Sequence, residues 1–118
     1  MFVASKRGHC DVVKCLLSSD ADINLCDEGG RSPLFVASYH EHFDVIKYLL
    51  SSGADINLRN KRGESPLFVA SHRGHCAIVK CLLSFGAGIN LRDEGGKSPL
   101  FVATSAGYYD IVRLLRAH

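Results

Sequence analysis

A string of seven residues returns every 33 positions in this chain, and that period constrains the fold more than any other feature. Ser32–Ser38 reads SPLFVAS, Ser65–Ser71 reads SPLFVAS, and Ser98–Thr104 reads SPLFVAT. The opening Met1–Ser5, MFVAS, is in register with Leu34–Ser38, so the chain starts inside a further copy. Aligning Ser32–Glu64 on Ser65–Lys97 gives 19 identities in 33 positions. Self-similarity at a fixed period of this length marks an array of stacked units, none of which can bury its apolar face alone. The 118 residues therefore read as one domain, 1–118, in four copies at 1–31, 32–64, 65–97 and 98–118, the first and last incomplete.

Each copy reads as helix, tight turn, helix, outward loop. In the third, Ser65 is a helix N-cap and Pro66 takes the first helical position, where its missing N–H is not needed. The spacing predicts a short helix from Leu67 to about Arg73, closed by Gly74 in the left-handed conformation. A second helix spans HCAIVKCLLSF, with Ile78, Val79, Cys81, Leu82 and Leu83 as a broad apolar stripe. Gly86 stops it, and GAGINLRDEGG is an extended turn leading to the next Ser-Pro. Asp11, Asp44 and Asp110 open second helices, where a negative charge suits the N-terminal dipole.

Taken together, these features make the chain resemble the ankyrin repeat family. The resemblance rests on Ser-Pro-Leu-Phe-x-Ala, on Gly8-His9 and Gly74-His75, on IVKCLL and VIKYLL, on GADIN at Gly53–Asn57, and on the period. It covers essentially the whole chain. It implies an all-α solenoid, an L-shaped stack of helix pairs with β-turn or hairpin loops projecting from one edge. Three positions depart from the pattern. The usual Thr-Pro-Leu-His is Ser-Pro-Leu-Phe, so Phe2, Phe35, Phe68 and Phe101 are expected to replace the histidine's hydrogen bonds by aromatic packing along the stack. Glu41 stands where the inter-helix Gly belongs, which unsettles that turn, and Asp20 replaces the Gly that closes the second helix of the first copy. At the far end, Arg116 occupies the column of Leu50 and Leu83, a charge suited to the outer face of a terminal unit. The abrupt start points to a piece of a longer array whose exposed first unit could stack end to end on another chain.

The residues with reactive side chains read as architecture. His9-Cys10 and His75-Cys76 look like dyads, but His42-Phe43 and Tyr108-Tyr109 fill the same columns, and a slot accepting Cys, Phe or Tyr selects bulk. Adjacent residues on a helix also diverge by about 100°. Cys10 with Cys15 and Cys76 with Cys81 lack the spacing of structural zinc sites. Equivalent cysteines lie two copies apart, roughly 20 Å when packed helices are about 10 Å apart, beyond the reach of a disulfide. Cys15 and Cys81 share a column with Tyr48 and Leu114 and read as core, whereas Cys26, in a loop where Arg59 and Arg92 stand elsewhere, is expected to be the exposed thiol. DEGG at Asp27–Gly30 and Asp93–Gly96 is a repeat-loop turn whose acids repel phosphate. No catalytic residue, metal or cofactor is expected.

Function then resides in a surface. The columns that vary between copies are the loop tips and the ends of the first helices, which line the partner-binding concave face in ankyrin-like proteins. Carried over by column, the candidate partner-binding residues are Lys6, Arg7, Arg31, Tyr39, His40, Arg59, Lys61, Arg62, His72, Arg73, Arg92 and Lys97. The whole chain is near neutral, with 14 basic and 12 acidic side chains, yet nine of the basic and only five of the acidic ones fall on that face. A non-catalytic module binding an acidic peptide or protein surface in this groove is the expected function. Nucleic-acid binding through the same patch is disfavoured by its acids and scarce stacking aromatics, and a ligand-free segment of a longer solenoid is the plain alternative. No run of about eighteen apolar residues crosses a bilayer, and MFVASKRG is not a secretory leader because its charges follow a short apolar stretch. A cytoplasmic or nuclear setting with reduced thiols is the expectation.

Overall fold

The computed structural model describes residues 1–118, apart from the side chain of Phe2. Eight helices form four antiparallel pairs: α1 (Phe2–Arg7) with α2 (Cys10–Ser18), α3 (Pro33–Tyr39) with α4 (Phe43–Ser51), α5 (Pro66–Arg73) with α6 (Cys76–Ser84), and α7 (Pro99–Ala106) with α8 (Tyr109–Arg116). The first helices pack in sequence as one row, α1 on α3 on α5 on α7, and the second helices as another. The stack measures 40 × 25 × 21 Å. It is an all-α repeat solenoid, as the period requires.

The local signals act where they stand. Ser32, Ser65 and Ser98 adopt extended backbone, and each hydroxyl accepts from the amide three residues on, at 3.1 Å. A proline follows every one of these caps. Gly74 closes α5 at φ 76°, and a Cβ there would lie 2.7 Å from the Tyr108 ring. The glycine thus supplies the left-handed turn and the room for the next unit's aromatic side chain.

The two substituted turns keep the shape of the others. Glu41 takes φ 60° and Asp20 takes φ 64°. The amide of His42 bonds Ala37 O at 3.0 Å, as that of His75 bonds Ala70 O at 2.9 Å across Gly74. Past Asp20, the Ala21 amide reaches Leu16 O at 3.2 Å, matching Ala54 to Leu49 O at 3.0 Å. Neither turn is disturbed; flanking helices that bond identically on both sides hold a non-glycine residue in the left-handed region.

The core runs the length of the stack through Val13, Leu34, Val45, Ile46, Leu49, Leu67, Ile78, Leu82 and Ile111. The expected aromatic packing along the stack is not formed among the described residues. Phe35 and Phe68 are buried, but among the described residues no phenylalanine ring pairs with another, and Phe68 lies 6.2 Å from His72 instead. Phe101, in the last helix pair of the structure, is 54% exposed. The expectation for Phe2 concerns a side chain outside the described residues. One polar column stays unsettled inside: Ser5, Ser38 and Ser71 are fully buried and their hydroxyls have no hydrogen-bond partner.

Three loops project between the pairs, held by side chains as well as backbone. Asp27 Oδ1 accepts from the Gly29 and Arg31 amides, Asn60 Oδ1 from those of Arg62 and Glu64, and Asp93 Oδ1 from that of Lys97. Asp27 and Asp93 are thus structural acceptors and not simply solvated acids. Neighbouring loops are tied by Asn24 Oδ1, which accepts the Asp55 amide at 2.8 Å, and by Asn57 Oδ1, which accepts that of Gly88 at 2.9 Å. At the tips the Lys61 amide bonds Gly29 O and the Glu94 amide bonds Arg62 O. No strand forms among the described residues; the projecting loops are turns.

Candidate functional site

The inner angle between the first two loops and the helices α1 and α3 holds a cavity of about 710 Å³. Its rim carries Lys6 from α1, Arg31 from the first loop, and Lys61 and Arg62 from the second. Asp27 and Glu64 are the acids beside them, and Val3, Phe35 and Val36 supply apolar wall. Tyr39 and His40, from the end of α3, complete it.

These charges are not equivalent. Arg31 Nε lies 2.9 Å from Asp27 Oδ2. Burial pushes the Asp27 carboxyl up, but the Arg31 and Gly29 amides and the Arg31 guanidinium outweigh it and hold the group below the ordinary carboxylate range. Glu64 Oε1 accepts from Asn60 Nδ2 at 2.9 Å. Lys6, Lys61 and Arg62 make no ion pair among the described residues. Tyr39 is braced from the neighbouring unit, with the Arg73 guanidinium 4.2 Å from its ring centroid and donating to its hydroxyl at 3.2 Å.

Of the residues expected from sequence, the cavity brings together Lys6, Arg31, Tyr39, His40, Lys61 and Arg62, with Arg73 against Tyr39. The others lie elsewhere. Arg7 and Arg59 are exposed and line no part of it, and His72 sits by Phe68. Arg92 bends back to Gly96 O at 3.3 Å, and Lys97 stands exposed on the third loop. Sequence reasoning passed over Val3, Phe35 and Val36, because residues identical in every copy read as filling. Val3 stands in the first helix pair of this stack and is 65% exposed, which nothing within its copy signals.

The histidine columns are fastenings between units. His42 Nε2 bonds Lys6 O, and His75 Nε2 lies 3.3 Å from Tyr39 O with its Nδ1 3.3 Å from Glu41 Oε2. Each ring tethers the end of the preceding first helix. The two ring nitrogens of His75 are thus turned toward Tyr39 O and Glu41.

Two assignments of thiols change. Cys15 is exposed and Cys26 is half-buried, its Sγ 3.4 Å from Asn24 O. Burial, with Asp27 and Asp22 adding to it, pushes the Cys26 thiol up. Cys15 shares its column with buried Cys81 but lies in the first helix pair of the structure, and it is exposed. All five thiols are unpaired. Among the described residues no three His, Cys, Asp or Glu side chains gather where they could hold a metal ion, and no helix is long and apolar enough to cross a membrane.

No curated protein matches the chain. A family model described as ankyrin repeats, in three copies, matches residues 1–60 and 52–118, which together span the sequence. With the repeated helix pairs, the capped first helices and the projecting loops, this match establishes that the chain belongs to the ankyrin repeat family, whose members generally act as protein–protein interaction modules and not as catalysts.

Proposed function

We propose that the chain is a non-catalytic binding module that takes an acidic peptide, or an acidic stretch of a protein surface, in the cavity between its first two loops. The observation that carries this reading is the set of unpaired cations Lys6, Lys61 and Arg62 around apolar wall from Val3, Phe35 and Val36. Carboxylates of a bound segment find charge-assisted donors at the rim, while an apolar side chain is desolvated below them beside the braced Tyr39 ring. The acids Asp27 and Glu64 are already engaged and oppose such a ligand less than their number suggests.

The test is binding of a fluorescent Glu/Asp-rich peptide bearing one central Leu. Reversing Lys6, Lys61 and Arg62 to Glu is expected to weaken it at least tenfold, about 1.4 kcal/mol or more. The same reversal at Arg59 and Arg92, outside the cavity, should change it little. Equal effects from both sets would remove the cavity from consideration. A steep salt response with single-stranded DNA in place of the peptide would favour the nucleic-acid reading.

A further inference from the structure

We infer that His40 seats a carboxylate of the bound segment together with Lys6 and Arg73, and that docking of this carboxylate brings a proton from the buffer onto the His40 ring. The inference rests on the groove reading above and specifies which group of the ligand is recognised, and where.

Three histidines cluster at the α3 end of the cavity, and two are occupied. His42 bonds Lys6 O, and His75 contacts both Tyr39 O and Glu41. His40 alone lines the cavity with neither ring nitrogen in a hydrogen bond among the described residues. Its ring meets Tyr39 edge-on at 5.0 Å and stacks on His42 at 6.2 Å and 22°. The charged groups acting on it are Lys6 from α1, His42 from the turn and Arg73 from α5, and the two loops bring Arg31, Lys61 and Arg62 to the same cavity. All of them are basic. The nearby carboxylates are turned to other partners, Glu41 to His75, Asp27 to Arg31 and Glu64 to Asn60.

Burial, then Lys6, His42 and Arg73, hold the imidazole below its ordinary value, which favours the neutral ring in the unliganded protein. A carboxylate entering this corner reverses the sign of the field. It accepts from the ring N–H and favours the imidazolium, which donates from both nitrogens. The His40 value therefore rises on binding. Between its unliganded and liganded values one proton is taken up, and affinity increases as pH falls through that interval, approaching but not exceeding about tenfold per pH unit.

The experiment is calorimetric titration of the same Glu/Asp-rich peptide between about pH 8 and about pH 5.5, above the range in which its own carboxyls titrate, in two buffers of different ionisation heat. The wild-type chain should take up a fraction of a proton and bind more tightly toward acid. His40→Gln should bind with neither proton uptake nor pH response, and His40→Arg should bind tightly at every pH. Binding by the wild-type chain without proton uptake, or an unchanged pH response in His40→Gln, overturns the assignment to His40 and leaves the groove standing. Absence of binding at every pH overturns the groove reading and the inference with it.

Discussion

The inner units and the outer ones carry the same motif and place it in different surroundings. Phe68 in the third unit is 2% exposed, and its counterpart Phe101 in the fourth is 54% exposed. Val45 is completely buried, while Val12, one period earlier, is 47% exposed. Cys81 is buried and Cys15 is not. In each pair the residue type and its place in the unit are the same. A residue's energetic weight here is set by whether a neighbour stands in front of or behind it, as expected when stability is a sum of unit and junction contributions.

The sharpest way to break this comparison is with paired truncations. Phe68→Ala leaves a cavity between two units and should cost about 3–5 kcal/mol, whereas Phe101→Ala should cost less than about 1 kcal/mol. Denaturant midpoints of the two variants test this, and equal losses would mean that burial in the stack does not govern the column. A smaller effect of opposite sign is expected from the serine column. The Ser71 hydroxyl is buried without a partner, while Thr104, one period later, is exposed and donates to Leu100 O at 2.7 Å. Ser71→Ala should therefore raise stability by about 1 kcal/mol, and Thr104→Ala should change it by less than about 0.5 kcal/mol. The least perturbing test uses thiols. Mass spectrometry after brief alkylation at neutral pH should find Cys15 modified well before Cys81, whose thiol is also pushed up by burial.

Much of the fold was legible because its instructions are local. The Ser-Pro caps, the closing glycines and the period of the apolar stripe each act within a few residues, and the structure places them as read. What could not be read was exposure within a column. Cys26 was expected to be the open thiol and Cys15 a core residue, yet the outcome depends on units in front and behind that no single copy encodes. Glu41 and Asp20 show the reverse limit: the sequence suggests trouble, and the surrounding helices impose the left-handed turn regardless. For the cavity, charge by column located Lys6, Arg31, Lys61 and Arg62. That Asp27 holds Arg31, or that Arg92 folds back on its own loop, depends on side-chain geometry, which spacing does not carry.

The seams between adjacent loop tips are made by peptide groups alone, Lys61 N to Gly29 O and Glu94 N to Arg62 O. Side chains at Glu28, Lys61, Arg62 and Glu94 can accordingly be exchanged while the seam stays stitched. The molecule behaves as a rack with interchangeable teeth, and those four sites can be randomised at little risk to the frame that carries them.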